Sequence, residues 1–243
     1  RVGTVSENNS QYDVIVIGAG VAGLYQLFKL RQLKLKALVI EAGDNVGGTW
    51  YWNRYPGARF DSESWSYGYS FSKELFEEWD WPEHFAAQPD TLRYLNYVAD
   101  KFDFRRDIKF DRRVEACVFD QQNNLWTVRT NTKEEYVARF LITALGPLSA
   151  FTLPNIEGRE TFKGPAYHTA RWPHEEVDFS GKRVGIIGTG ACAIQTIQTI
   201  AKDVAHLTVF QRSPNWAAPL NNSVITEDEQ KQIKQDFEKI FEQ

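Results

Sequence analysis

The chain has 243 residues, 42% hydrophobic and 25% charged, with a net charge of −4 from 28 basic and 32 acidic side chains. These are the proportions of an ordinary globular protein, with room for one large domain or two modest ones. The mild acidity argues against a general affinity for nucleic acid or an anionic membrane surface. Two cysteines, Cys117 and Cys192, stand far apart with no C-x-x-C. Neither a disulfide framework nor a dithiol redox centre is indicated, and a cytoplasmic location is expected. No apolar run reaches membrane-spanning length, the polar N-terminus does not read as a signal peptide, and no metal site is read. Aromatic residues make up 14%, with eight Trp, and Trp50, Trp52, Trp65, Trp79 and Trp81 crowd one region. That suits the covering of a wide, flat ligand, although an aromatic-rich core would give the same count.

Residues 1–10 are polar and expected to fray. Tyr12 to Ile17 is a nearly continuous β-branched run, the pattern of a strand buried on both faces of a parallel sheet. It enters Gly18-Ala19-Gly20-Val21-Ala22-Gly23, and helical apolar spacing follows to about Leu33. Lys36 to Ile40 forms a second strand ending in Glu41. A lone G-x-G-x-x-G is weak evidence, but strand before, helix after and an acid closing the next strand complete its βαβ context. Gly18 permits the tight turn, Gly20 lets backbone amides approach a pyrophosphate, and Gly23 allows close helix–strand packing. The helix N-terminus adds partial positive charge. Glu41 would accept hydrogen bonds from a ribose diol and repel a 2′-phosphate.

A glycine-rich, aromatic excursion follows: Gly47-Gly48-Thr49-Trp50-Tyr51-Trp52-Asn53-Arg54-Tyr55-Pro56-Gly57-Ala58-Arg59-Phe60-Asp61. A plain dehydrogenase would run on into another βα unit, and long ordered loops are usually functional. The stretch fills every fixed position of G-G-x-W-x-x-x-x-Y-P-G-x-x-x-D, and so resembles a signature of type I Baeyer–Villiger monooxygenases. By that resemblance Gly48, Thr49, Trp50, Tyr67 and Val114 join Gly18, Gly20, Gly23 and Glu41 in binding FAD. Asp61 would sit near the isoalloxazine and orient a catalytic arginine; without the resemblance it would read as a solvated loop acid.

Residues 73–107 read as helical and amphipathic, with Pro89-Asp90 starting a helix through about Phe102. Three short alternating runs follow, Val114 to Phe119, Trp126 to Thr130 and Tyr136 to Phe140, with Asn123-Asn124 turning between the first two. This small antiparallel element resembles the β-meander inserted in FAD-binding folds of the glutathione-reductase type. Phe140 to Pro147 is expected to return as a buried strand with a tight turn at Gly146.

Phe162-Lys163-Gly164-Pro165-Ala166-Tyr167-His168-Thr169-Ala170-Arg171-Trp172-Pro173 reads as a connector, because Gly164-Pro165 breaks a helix and Pro173 holds Trp172 extended. Phe162, Gly164, His168, Trp172 and Pro173 fill F-x-G-x-x-x-H-x-x-x-W-P, which resembles the fingerprint of the same monooxygenases. N-oxidising flavin monooxygenases are similar but usually carry Tyr or Phe in place of Trp172. His168 has the chemistry of a proton shuttle, yet a linker histidine fits better with a structural and conformational role. Trp172 and Pro173 should anchor the linker.

Lys182 to Ile187 is a third buried-strand pattern, entering Gly188-Thr189-Gly190-Ala191-Cys192-Ala193 and a helix to about Ala201. Ala193 occupies the third glycine place, which the fingerprint allows. The next strand, Leu207 to Gln211, leads to Arg212-Ser213 rather than to an acid. A cation and a hydroxyl there suit a 2′-phosphate, so NADPH should be preferred over NADH. The candidate NADP set is Gly188, Thr189, Gly190, Ala193, Gln195, Arg212 and Ser213. From Thr226 a capped helix runs toward Gln243, with Ile233, Phe237, Ile240 and Phe241 on one face.

The expected fold is α/β, with two Rossmann-like domains of the glutathione-reductase type. Residues 1–150 form the FAD part, 151–180 the linker, 181–225 the NADPH part and 226–243 the start of a helical insertion. The resemblance implies an enzyme in which NADPH reduces FAD and a C4a-peroxyflavin carries one atom of O₂ to a ketone, giving an ester or lactone. Its other readings are N- or S-oxidation, or an inactive nucleotide-binding fragment. A pyridine-nucleotide disulfide reductase would need the cysteine pair that is absent. The chain begins at Arg1, has no Met and stops inside a helical pattern. It is therefore expected to be the first part of a longer polypeptide, the remainder of which would be its partner and would supply the catalytic arginine beyond residue 243.

Overall fold

The computed structural model describes residues 11–241. In chain order the elements are β1 (Tyr12–Ile17), α1 (Val21–Gln32), β2 (Ala37–Ile40), α2 (Thr49–Trp52), α3 (Ser64–Tyr67), α4 (Lys73–Glu78) and α5 (Gln88–Lys101). There follow β3 (Ile108–Lys109), β4 (Val114–Asp120), β5 (Leu125–Thr130), β6 (Glu135–Thr143), β7 (Arg183–Ile187), α6 (Ala191–Ile200), β8 (His206–Phe210), α7 (Glu227–Gln235) and α8 (Phe237–Phe241). Two units divide them. One gathers the chain up to Tyr51 with Leu95–Phe151, the other Trp52–Tyr94 with the chain from Thr152 onward. Boundaries fall inside α2 and inside α5, and the aromatic excursion from Trp52 belongs to the second unit.

The first unit is built on a six-stranded mixed sheet in the order β3-β2-β1-β6-β5-β4. Strand β1 lies at its middle, parallel to β2 and β6, with Ile17 beside Ile40 on one side and Thr143 on the other. That placement buries Val14, Ile15 and Val16, as the β-branched run requires. Ile15, Leu38, Ile40, Val128, Tyr136 and Ala138 form a shared core. The meander strands pair antiparallel, and Asn124 turns between β4 and β5 with φ +54°. Asp120 caps that turn by accepting the Gln122 amide at 2.8 Å. The two runs read on either side of Phe140 are in fact one strand. Tyr136 and Ala138 pair with β5, while Ala138 to Thr143 pair with β1, and no turn residue interrupts them. Nor is that strand buried throughout, since Phe140 is 53% exposed. Gly146 makes the expected turn with φ +72°.

In the second unit β7 and β8 form a parallel two-stranded sheet, with Ile187 paired to Phe210. The expectation of a buried β7 does not hold. With β8 as its neighbour among the described residues, its side chains alternate between exposed and half-buried. The predicted helical stretch over 73–107 is interrupted between α4 and α5, where Trp81-Pro82 cannot continue a helix. Trp79, Trp81 and Tyr94 fill that gap as a ring cluster with centroids 5.0–5.7 Å apart. The tail is also broken: α7 ends at Gln235, Asp236 departs from helical geometry, and α8 begins at Phe237. Its start is as expected, with Thr226 as the N-cap, and Glu229 reaches back to complete a capping box. Phe237 and Phe241 pack edge-on against Phe76, at 5.0 and 5.6 Å. The expected fraying of residues 1–10 and the last residues of the helical tail lie outside the described residues. Among those described, no helix is long and apolar enough to cross a membrane.

Candidate functional site

The first glycine loop leaves β1 and caps α1. Gly18 has φ +104°, and a Cβ there would come within 2.5 Å of the Ala144 carbonyl oxygen. At Gly23 the obstacle is Gly18 itself, whose carbonyl oxygen would lie 1.8 Å from an added Cβ. Gly20, the N-cap of α1, faces the backbone of Gly48: a Cβ on Gly48 would reach Gly20 Cα at 2.8 Å. The Gly47 amide donates to the Ala19 carbonyl at 3.0 Å. The two glycine loops therefore meet backbone to backbone, in a cradle lined by peptide groups and the N-terminus of α1. Such a cradle fits a pyrophosphate.

Glu41 lies under this cradle, 5% exposed. Its Oε2 accepts the Ala19 amide at 2.7 Å and its Oε1 accepts the Gly43 amide at 2.8 Å. The acid read as a ribose ligand thus also braces the first glycine loop. Glu41→Gln is expected to cost about 1–3 kcal/mol, because one amide would then face an NH₂ group. Urea unfolding checks this, and its midpoint should fall.

Thr49 and Trp50 lie in the short helix α2, with Trp50 buried. Val114 opens β4 and packs on the core of the first unit. In the second unit, Tyr67 stacks on Phe60 with centroids 4.4 Å apart and planes inclined by 13°. Asp61, next to Phe60, is exposed and has no hydrogen-bond partner among the described residues.

The loop from Tyr55 to Asp61 rests on α6. The buried Tyr55 hydroxyl donates to Gln195 Oε1 at 2.8 Å. Burial, and then Cys192 beside it, push the Tyr55 hydroxyl above the usual phenol range, so it stays a proton donor. Gln195, read from the sequence as an NADP ligand, is thus engaged by this loop. The sequence did not single out Tyr55 or Arg59 as its partners. Pairing residues 136 and 140 positions apart leaves no local signal.

In the linker, the Phe162 ring is 66% exposed and lies over Gly164, where a Cβ would meet it at 2.8 Å. His168 Nδ1 accepts the Ala170 amide at 3.1 Å and so caps a short 3₁₀ turn at Thr169–Arg171. Trp172 packs on Tyr167 at 5.3 Å and on Phe179 at 6.1 Å, and the Arg171 guanidinium lies 5.0 Å from the Trp52 ring centre. Pro173 follows, half-buried.

The second glycine loop is open. Gly188 has φ +103°, and neither it nor Gly190, the N-cap of α6, has any atom within 4 Å of an added Cβ. Gln211 Nε2 donates to Thr189 Oγ1 and Asn215 Nδ2 to the Thr189 carbonyl, both at 3.0 Å. Neither partner was foreseen; a long-range amide contact has no sequence pattern. Ala193 is half-buried on α6, while Arg212 and Ser213 are exposed just beyond β8. Because Ile187 pairs with Phe210, Arg212 emerges at the same sheet edge as Gly188. The space before α6 and the nearby cation fit a second, phosphorylated dinucleotide.

Residues 15–242 match the family described as pyridine nucleotide-disulphide oxidoreductase. The chain belongs to that family. It is 49% identical over 89% of its length to an acetone monooxygenase (methyl acetate-forming) of Gordonia sp., spanning 41% of that protein. A Baeyer-Villiger monooxygenase of Pseudooceanicola batsensis is 43% identical over 96% of the chain, which spans 43% of it. Among solved structures, an OTEMO complex with FAD and NADP superimposes with a TM-score of 0.93 at 47% identity, covering 97% of this chain and 45% of that one. The chain thus spans less than half the length of these relatives. The likeness to Baeyer–Villiger monooxygenases drawn from the signatures holds, and so does the α/β architecture with Rossmann-like units. Within the disulphide oxidoreductase family this chain brings no dithiol: Cys117 on β4 and Cys192 on α6 are free.

Proposed function

We propose that this chain serves an FAD- and NADPH-dependent Baeyer–Villiger monooxygenase, which inserts one oxygen atom of O₂ beside a ketone carbonyl to give an ester or lactone. The observation that carries this reading is the pair of unlike glycine cradles. One is closed by a second glycine loop over a buried acid; the other is open beside an exposed arginine. The first suits FAD and the second NADP(H). The Gordonia relative, an acetone monooxygenase that forms methyl acetate, supports ketone as the substrate class.

The bound flavin would supply hydride acceptance and oxygen activation, and NADPH the hydride. The protein's part is binding, orientation and exclusion of water. Amides at the start of α1, with Gly18, Gly20 and Gly48, would hold the flavin pyrophosphate, and Glu41 would order the ribose. Thr49, Trp50 and Val114 complete the proposed flavin set within the first unit. Gly188, Thr189, Gly190 and Ala193 would receive the second pyrophosphate, with Arg212 and Ser213 on the 2′-phosphate. Asp61, exposed and unpaired among the described residues, would orient a cation at the reacting centre. His168 acts through the backbone by holding the turn that sets Trp172, in line with a conformational role.

Supplying the holoenzyme with NADPH, O₂ and a simple ketone should consume NADPH in step with ester formation. Oxygenation of an amine with the ketone untouched would instead assign nitrogen oxidation. Asp61→Ala is expected to slow ketone oxygenation about tenfold, as for loss of one charge-assisted hydrogen bond, while flavin content stays unchanged. An unaffected rate would remove Asp61 from the site.

A further inference from the structure

The carboxamide of Gln195 makes three hydrogen bonds to one loop. Its Oε1 accepts the Tyr55 hydroxyl at 2.8 Å and the Arg59 amide at 3.4 Å, and its Nε2 donates to the Arg59 carbonyl at 3.0 Å. One side chain therefore satisfies both backbone groups of Arg59, as a neighbouring strand would. Between the two anchors the loop turns tightly, the Ala58 amide donating to the Tyr55 carbonyl at 3.0 Å. Gly57 takes φ +79° at the turn and presses on α6: a Cβ there would lie 2.2 Å from Thr199 Oγ1 and 2.6 Å from the Gln195 carbonyl oxygen. The Arg59 side chain continues the chain of contacts. Its Nη1 donates to Glu83 Oε2 at 3.0 Å and to the Phe85 carbonyl at 3.2 Å, and Glu83 Oε2 also accepts Asn222 Nδ2 at 2.7 Å. Asp61, two residues further on, has no such anchor. Its place depends on how Arg59 is held.

We infer that Gln195 is a positioning residue that fixes the Tyr55–Asp61 loop to α6, so that occupation of the glycine loop heading α6 is felt at Asp61. The inference rests on the proposed function for the identity of the dinucleotide and the role of Asp61. The fixing itself is a property of the second unit alone. Gln195 stands just over one turn from the start of α6, close enough for a ligand ordering that turn to steady the carboxamide. The same carboxamide would then govern where the carboxylate points without itself touching the reacting atoms.

Hydrogen–deuterium exchange of the peptide spanning residues 55–61, measured in the flavin-loaded holoenzyme with and without NADP⁺, tests this directly. In the unaltered protein NADP⁺ should slow exchange about tenfold. Gln195→Leu should speed exchange by about tenfold and abolish the response to NADP⁺, while the NADP⁺ dissociation constant changes by less than about threefold. Ketone oxygenation should fall in kcat with little change in the KM for NADPH. Tyr55→Phe, which removes one hydroxyl, should act in the same direction more weakly, and should add nothing in the Gln195→Leu background.

The inference is overturned by unchanged exchange in Gln195→Leu, by additive effects of the two substitutions, or by a tenfold weaker NADP⁺ affinity with normal exchange, which would make the carboxamide a cofactor ligand. Should Gln195→Leu not fold, Tyr55→Phe alone decides: normal exchange there overturns the inference. Exchange and NADP⁺ affinity need no ketone. A failure of the monooxygenase reading would therefore appear as absent turnover in the unaltered protein, separately from the loop's behaviour.

Discussion

Gly23→Ala should destabilise the protein by about 3 kcal/mol and abolish flavin retention at the proposed cradle. The added methyl would have to stand 1.8 Å from the Gly18 carbonyl oxygen and 2.9 Å from its carbon. Both obstacles are backbone, so no rotamer change relieves the clash. Either α1 moves off β1 or the Gly18 turn opens, and both destroy the alignment of amides toward a pyrophosphate. A loss of this size is a large part of the stability of an ordinary domain. Urea unfolding and the ratio of flavin to protein absorbance after gel filtration measure the two consequences. The informative contrast is Gly190→Ala. No atom lies within 4 Å of an added Cβ there and φ is −73°, so the loss should be no more than about 1 kcal/mol, that of a poorer N-cap. An unchanged unfolding midpoint in Gly23→Ala would mean that α1 can move off β1 at little cost.

Arg212→Ala should raise the KM for NADPH about 30- to 100-fold and that for NADH less than about threefold. The guanidinium is exposed, emerges beside Gly188 through the Ile187–Phe210 pairing, and forms no salt bridge among the described residues. A 2′-phosphate would be its natural partner, through short charge-assisted hydrogen bonds of about 1.5–3 kcal/mol each. NADH lacks that phosphate and should barely register the change. Equal effects on both coenzymes would refute the assignment. High salt should weaken NADPH binding in the unaltered protein more than in the variant, because screening acts on an exposed ion pair.

Much of this protein was legible in its sequence, for identifiable reasons. Strand β1, the turn at Gly18 and helix α1 follow from a β-branched run, a glycine with positive φ and apolar helical spacing, all local signals. The Thr226 cap and the Asn124 turn were readable in the same way. Both glycine loops, and the contrast between Glu41 and Arg212, rest on spacing within a single βαβ unit. The conformations of Gly18 and Gly188, and the close approach at Gly23, follow from that local chemistry.

Tertiary structure decided the rest. Whether Phe140 ends one strand or lies inside another depends on which neighbours offer backbone partners, here β1 and β5 on opposite sides of β6. The exposure of β7 likewise depends on how many strands flank it, not on its own apolar residues. The helical pattern after Lys73 is broken by Trp81-Pro82, and rings drawn from Trp79, Trp81 and Tyr94 fill the gap. Above all, the partners of Gln195 could not be foreseen. A carboxamide has no preferred sequence distance to what it binds, and Tyr55 and Arg59 come to it only because Gly57 lets the loop lie flat on α6. Local chemistry determined which glycine loops this chain carries; long-range packing decided which side chains hold them in place.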